Sequence, residues 1–178
     1  YLLGIVLVVA GLGFKISAFP FHYWAPDVYQ GAPAPVTGLL ASASKAVGFI
    51  LLTRFACAVM PLGTAHVTLF WAIIAAASIL YGNLCAIPQC NIKRLIAFSG
   101  IANAGYMLMA LAVGTPAAVS AMFYYLIAYV FTIMGAFLAI TMVETEFGGT
   151  TDLDSLAGLA RRSPFAGFLL AAAMASLA

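Results

Sequence analysis

A chain of 178 residues in which 65% are hydrophobic, 7% are charged and the net charge is +2 lies far from soluble globular composition, where about a quarter of residues carry charge. It reads as an all-α, polytopic membrane protein: apolar runs of about 20 residues, the length a helix needs to cross the hydrocarbon core, alternate with short polar breaks, and the polar/apolar alternation of a membrane barrel is missing. Charges this few and this dispersed exclude a nucleic-acid surface, and Cys57, Cys85 and Cys90 have neither metal-binding nor CxxC spacing, so they read as small apolar side chains with no metal or redox site.

The chain starts at Tyr1 without a methionine, basic segment or signal peptide and stops at Ala178 inside an apolar run, so a piece of a longer membrane subunit is expected. The first element covers about residues 1–30 and contains Lys15 in membrane-grade sequence. A charge near the bilayer centre costs about 2.5–3.5 kcal/mol on insertion scales, which makes such a residue a functional candidate by default. Pro20 offers no amide hydrogen to the carbonyl of Ile16 and clashes with it. The helix is therefore predicted to break around Ser17 to Pro20, ahead of His22, and to resume to about Gln30. Gly31-Ala-Pro-Ala-Pro35 then makes a tight turn, since proline ends one helix and opens the next.

The second helix, about 36–60, carries Lys45 roughly 15 Å into the membrane at 1.5 Å per residue. Gly38, Ala41, Ser42 and Gly48 share its face and let another helix approach closely, while Arg54 lies near enough to the far end to snorkel. The third helix, about 67–87, has little polar beyond Ser78, Tyr81 and Asn83 and is expected to pack or to face lipid, with His66 in the polar turn at its mouth. The fourth, about 92–113, opens with Lys93-Arg94 and bears Ser99, Asn103 and Tyr106 at i, i+4 and i+7, one polar stripe. That stripe suits interhelical hydrogen bonds or the lining of a hydrated path. The fifth, about 116–143, turns Tyr125, Tyr129 and Thr132 to one face. A polar loop, 144–163, with Glu144, Glu146, Asp152, Asp154, Arg161 and Arg162, is expected to be solvated, and 165–178 begins a sixth helix.

Basic residues before the fourth and sixth helices put those loops, with the turn at 31–35, on the cytoplasmic side. Lys15 and Lys45 then stand at similar depths on consecutive helices and can be neighbours. Burial, and a second cation nearby, disfavour the ammonium form of any lysine, so such a pair can exchange protons. His22 titrates near neutral pH without help and follows the break, where freed carbonyls gather. Lys15, His22 and Lys45 form a proton-relay hypothesis, against which stands an ordinary buried or interfacial histidine among Phe21, Tyr23 and Trp24. Asp27 fits equally a countercharge to one lysine and a helix-terminal residue at the turn.

The run from Gly13 through Lys15, His22 and Pro26-Asp-Val-Tyr-Gln-Gly-Ala-Pro33 to Val36, then Ala43-Ser-Lys45, Asn91-Ile-Lys-Arg-Leu95, Ser99 and Ala104-Gly-Tyr106, resembles the antiporter-like membrane subunits of proton-pumping NADH:quinone oxidoreductase, respiratory complex I, in their bacterial subunit N form. The resemblance covers essentially the whole chain. It implies two inverted five-helix repeats, each with a broken helix, of which residues 1–60 would be the last two helices of the first and 61–178 the beginning of the second. It also implies that Lys15 and Lys45 carry protons, with His22 after the break, in a multi-pass subunit of the bacterial inner membrane. Its partners would be the bilayer and other membrane subunits, including neighbouring antiporter-like ones, and NADH, FMN, iron–sulfur clusters and quinone would belong to the complex and not to this chain. One departure is Asn103, where the family usually has histidine: asparagine takes up no proton and is left holding a water with Ser99, Tyr106 and Ser42 as polar lining. Two rival readings are a sodium/proton antiporter or related pumping subunit, which shares the lysine-bearing broken helix, and a structural spacer whose lysines are paired and static.

Overall fold

The computed structural model describes residues 2–146 and 151–177. Helix α1 spans Leu2–Ile16 and α2 spans Trp24–Gly31, so the predicted break falls at residues 17–23. Ser17 takes the left-handed conformation, with φ 59°. Inside a bilayer every backbone group at such a break needs a partner, and several of the amides find one locally. The Ser17 and Ala18 amides donate to Phe14 O and Gly13 O at 3.1 and 2.9 Å, and the Trp24 indole donates to Phe14 O at 2.9 Å. The Phe19 amide reaches further, to Ser78 Oγ at 3.0 Å.

After the turn, α3 (Ala34–Leu39), a wide π-helical turn (Leu40–Ser44) and α4 (Lys45–Val59) form one continuous span. Next come α5 (Ala65–Ala86), α6 (Ile92–Val113) and α7 (Pro116–Glu146), and these spans are long and apolar enough to cross a membrane. A short α8 (Leu159–Arg162) leads into α9 (Pro164–Leu177). The predicted crossings agree with these bounds to within a few residues. Asn91 caps α6 by accepting from the Lys93 and Arg94 amides, and Gly114, with φ 69°, ends it in the left-handed conformation that favours glycine.

The polar loop departs from expectation. Glu144 belongs to the last turns of α7, not to a solvated loop, and its carboxylate is mostly buried. Beyond it the chain folds back on the start of α6: the Ile92 amide donates to Thr151 O at 2.9 Å and the Leu153 amide to Cys90 O at 2.8 Å. Residues 147–150 of that loop, the Glu146 side chain and the terminal residues 1 and 178 lie outside the described residues.

Small residues set the packing. A Cβ on Gly82 would stand 2.6 Å from the Ala102 nitrogen, and one on Gly105 would stand 2.7 Å from Ala75 O, so α5 and α6 lie backbone against backbone. The other face of α5 is exposed and apolar, with Leu69, Ile73, Leu80 and Leu84. The small face predicted around Lys45 serves two neighbours instead of one. Gly38 sits under Phe137 of α7, whereas Gly48, past the π turn that changes the helical phase, sits under Ile16 and Lys15 of α1. The turn at 31–35, the start of α6 and the end of α7 meet at one end of the bundle, in keeping with their predicted common side.

Candidate functional site

Lys45, the first residue of α4, is 2% exposed. Its Nζ donates to Gly100 O of α6 at 2.7 Å and lies 5.6 Å from the ring centroid of Tyr129 on α7. A Cβ at position 100 would come within 3.1 Å of both that nitrogen and the Tyr129 hydroxyl, so glycine is what leaves room for the ammonium. No carboxylate lies within ion-pair distance of Lys45 among the described residues. The lysine is thus held by a neutral carbonyl and an aromatic face, groups that tolerate either protonation state.

One turn along α6 from Gly100, the buried Asn103 amide donates to Ser99 O at 2.9 Å and to Ser99 Oγ at 3.3 Å, while its carbonyl accepts from the Tyr125 hydroxyl. Asn103 and Ser99 of the predicted stripe therefore do stand together. Tyr106 is separate: its hydroxyl accepts from Asn83 of α5 at 3.4 Å. Ser42 is buried within the π turn, donating to Gly38 O at 2.5 Å and contacting Met134 Sδ at 3.2 Å, and so faces α7.

The other predicted relay residues are not gathered around Lys45. The stem of Lys15 lies across Gly48, one turn from Lys45, but the residue is exposed on the surface of the described chain. His22 is buried in an aromatic box, its ring centroid 4.4 Å from Tyr23, 5.5 Å from Phe19 and 4.2 Å from Tyr81 of α5. Neither ring nitrogen finds a partner among the described residues. Asp27 is a countercharge, but to Arg94, whose Nη1 lies 2.7 Å from it and 3.0 Å from Gln30 Oε1.

A second buried lysine escaped sequence reasoning. Lys93, 4% exposed, pairs with Glu144 and donates to Ala32 O at 2.9 Å, while Glu144 Oε2 accepts from the Ala34 amide at 3.4 Å. Gly100 and Tyr129 were missed as well. Their signal was present only as a glycine on the polar helix and as the i, i+4 tyrosine pair of α7. No cluster of His, Cys, Asp or Glu suited to a metal ion occurs among the described residues.

The family described as NADH:quinone oxidoreductase/Mrp antiporter, TM matches residues 1–178. The chain belongs to that family. Within it, the chain is 48% identical over 178 residues to NADH-quinone oxidoreductase subunit N of Moorella thermoacetica, covering 99% of this chain and 37% of that relative. Among solved structures it superimposes on respiratory complex I from Thermus thermophilus with bound aureothin at a TM-score of 0.82 and 38% identity, over 99% of this chain and 38% of that one. It also superimposes on the membrane-bound sulfane sulfur reductase, an archaeal respiratory membrane complex, at a TM-score of 0.84 and 29% identity, over 92% of this chain and 34% of that one. The chain therefore spans little more than a third of the length of the family members it matches, and the all-α membrane bundle with a broken helix is the antiporter-like fold of these complexes.

Proposed function

We propose that this chain forms part of a proton-translocating membrane subunit of a bacterial inner-membrane NADH:quinone oxidoreductase, in which Lys45 takes up and releases protons as quinone is reduced in partner subunits. The observation that carries this reading is the placement of Lys45: a buried lysine in a membrane-spanning helix, bonded to the neutral Gly100 carbonyl and facing Tyr129, with no carboxylate among the described residues to hold it permanently charged. Lys15, its stem one turn away across Gly48, is the residue that delivers or receives the proton. His22 sits at the break, buried, with neither ring nitrogen partnered among the described residues. Residues 1–60 are read as the end of one inverted repeat and 61–178 as the beginning of the next. The cofactors of such a complex, FMN and iron–sulfur clusters, and its NADH and quinone belong to other subunits, and neighbouring antiporter-like subunits are the partners in the bilayer.

The test is Lys45→Ala in the full-length subunit within the assembled membrane complex. Proton pumping and coupled quinone reduction are expected to fall at least about tenfold, a size typical of losing one proton-transfer group, while NADH oxidation by ferricyanide continues. Wild-type pumping by this variant would sink the proposal. The sodium/proton antiporter reading is weaker, because the 48%-identical relative is an NADH-quinone oxidoreductase subunit. A strict sodium requirement for pumping would favour it.

A further inference from the structure

Tyr129 has a feature that the relay of Lys15 and Lys45 leaves unused. Its hydroxyl is fully buried and finds no hydrogen-bond partner among the described residues, an arrangement that is costly unless something satisfies the group. The same residue lines a cavity of about 50 Å³ with Asn103, Tyr125, Ala128, Thr132 and Ser176. A polar cavity needs only some 10–15 Å³ to hold a water, and this one is edged by polar groups from three helices. Thr132 of α7 and Ser176 of α9 are hydrogen-bonded at 3.0 Å, and the Asn103 carbonyl is fixed by Tyr125. Against the same face of Gly100 as the Tyr129 hydroxyl, and 5.6 Å from the centre of the Tyr129 ring, stands Lys45 Nζ.

We propose that this cavity is a water-holding chamber and that the Tyr129 hydroxyl is the link through which a proton passes between Lys45 and its water. The inference rests on the reading of Lys45 as a proton carrier. Lys45 and the hydroxyl flank one glycine, so a change in the last torsions of the lysine exchanges Gly100 O for the Tyr129 oxygen. The ammonium N–H then breaks as the phenol oxygen takes that proton, and the phenol's own proton goes to a chamber water. Lys45 is left a neutral amine, Tyr129 a neutral phenol, and the charge rests on the water; the return step reverses each bond change. Asn103, neutral and with its amide engaged by Ser99, orders the water without storing the proton. Among the described residues no Asp, Glu or His lines the chamber, which suits a passage and not a second store.

The experiment uses the full-length subunit in the intact membrane complex, comparing Tyr129→Phe, which keeps the ring and its packing, with Tyr124→Phe, whose hydroxyl belongs to a 79% exposed residue of the same helix. Tyr129→Phe should slow proton pumping about tenfold and raise the solvent deuterium isotope effect on coupled turnover, because proton transfer becomes the slow step. Tyr124→Phe should match the parent. Wild-type pumping by Tyr129→Phe, or slowed pumping with an unchanged isotope effect, overturns the link. Fluorotyrosine placed at 129 probes the same hydroxyl without deleting it, and an unchanged pH profile of turnover would also overturn it. Lys45→Ala in the same membranes separates the two claims: if it pumps normally, the carrier reading fails, and if it is inactive while Tyr129→Phe is normal, only the link fails.

Discussion

Two lysines of this bundle are buried almost equally, Lys45 at 2% and Lys93 at 4% exposure, yet their surroundings are opposite. Lys93 meets the carboxylate of Glu144, and each partner also binds the backbone of the turn at 31–35. Lys45 meets a carbonyl and a ring. A buried cation with a fixed countercharge gains little from losing its proton, because that would strand the carboxylate. A buried cation without one has no such tie. The same residue type is therefore ion-paired at one end of the bundle and free of a countercharge among the described residues in its middle, which is what the proposed proton-carrying role of Lys45 requires.

That contrast can be broken most severely at Lys93. Lys93→Ala leaves Glu144 buried and unpaired, an error worth about 3–5 kcal/mol, and is expected to deplete the assembled subunit from membranes, measured by native gel and by the thermal inactivation midpoint. Lys93→Met combined with Glu144→Gln removes both charges, keeps an acceptor for the Ala34 amide, and should recover most of that loss. If the double substitution is as damaging as the single one, Lys93 is not merely one half of an ion pair. A middle-sized effect is expected at Gly100→Ala, whose methyl group would crowd both Lys45 Nζ and the Tyr129 hydroxyl at 3.1 Å. Overpacking of this kind costs about 1–3 kcal/mol. Pumping should suffer more than assembly, the reverse of the Lys93→Ala pattern, and equal losses in both assays would remove the distinction. The smallest effect belongs to Asp27→Asn, which cuts an ion pair whose carboxylate is 73% exposed. Less than about 1 kcal/mol is expected, read as a shift of the inactivation midpoint that vanishes in high salt.

The helices and the break were legible in the chain because their signals are local: Pro20 removes a donor, Gly31-Ala-Pro-Ala-Pro35 ends one helix and opens the next, and long apolar runs admit few alternatives. Lys45 was legible as a buried lysine because a lysine so far from either helix end cannot readily snorkel. Its partners were not. Gly100 and Tyr129 lie 55 and 84 positions further along, and nothing local distinguishes a glycine that makes room for an ammonium from one that only lets helices pack. Glu144 was misplaced for a related reason. A carboxylate next to a polar segment reads as solvated unless the distant Lys93 is known to reach it. The π turn escaped too, since Leu-Ala-Ser-Ala-Ser carries no helix breaker, and with it the change of phase that gives Gly38 and Gly48 different neighbours.

The glycine contacts between α5 and α6 have a mechanical meaning. With Gly82 against Ala102 and Gly105 against Ala75, the two backbones meet at two points, and any side chain larger than hydrogen at either glycine would push α5 and α6 apart. Helix α6 carries Lys93 and Arg94 at one end and Gly100, the carbonyl that holds Lys45, about 9 Å along it at 1.5 Å per residue. The irregular points of the bundle, the break at 17–23 and the π turn, lie instead on the helices that bear Lys15 and Lys45 themselves.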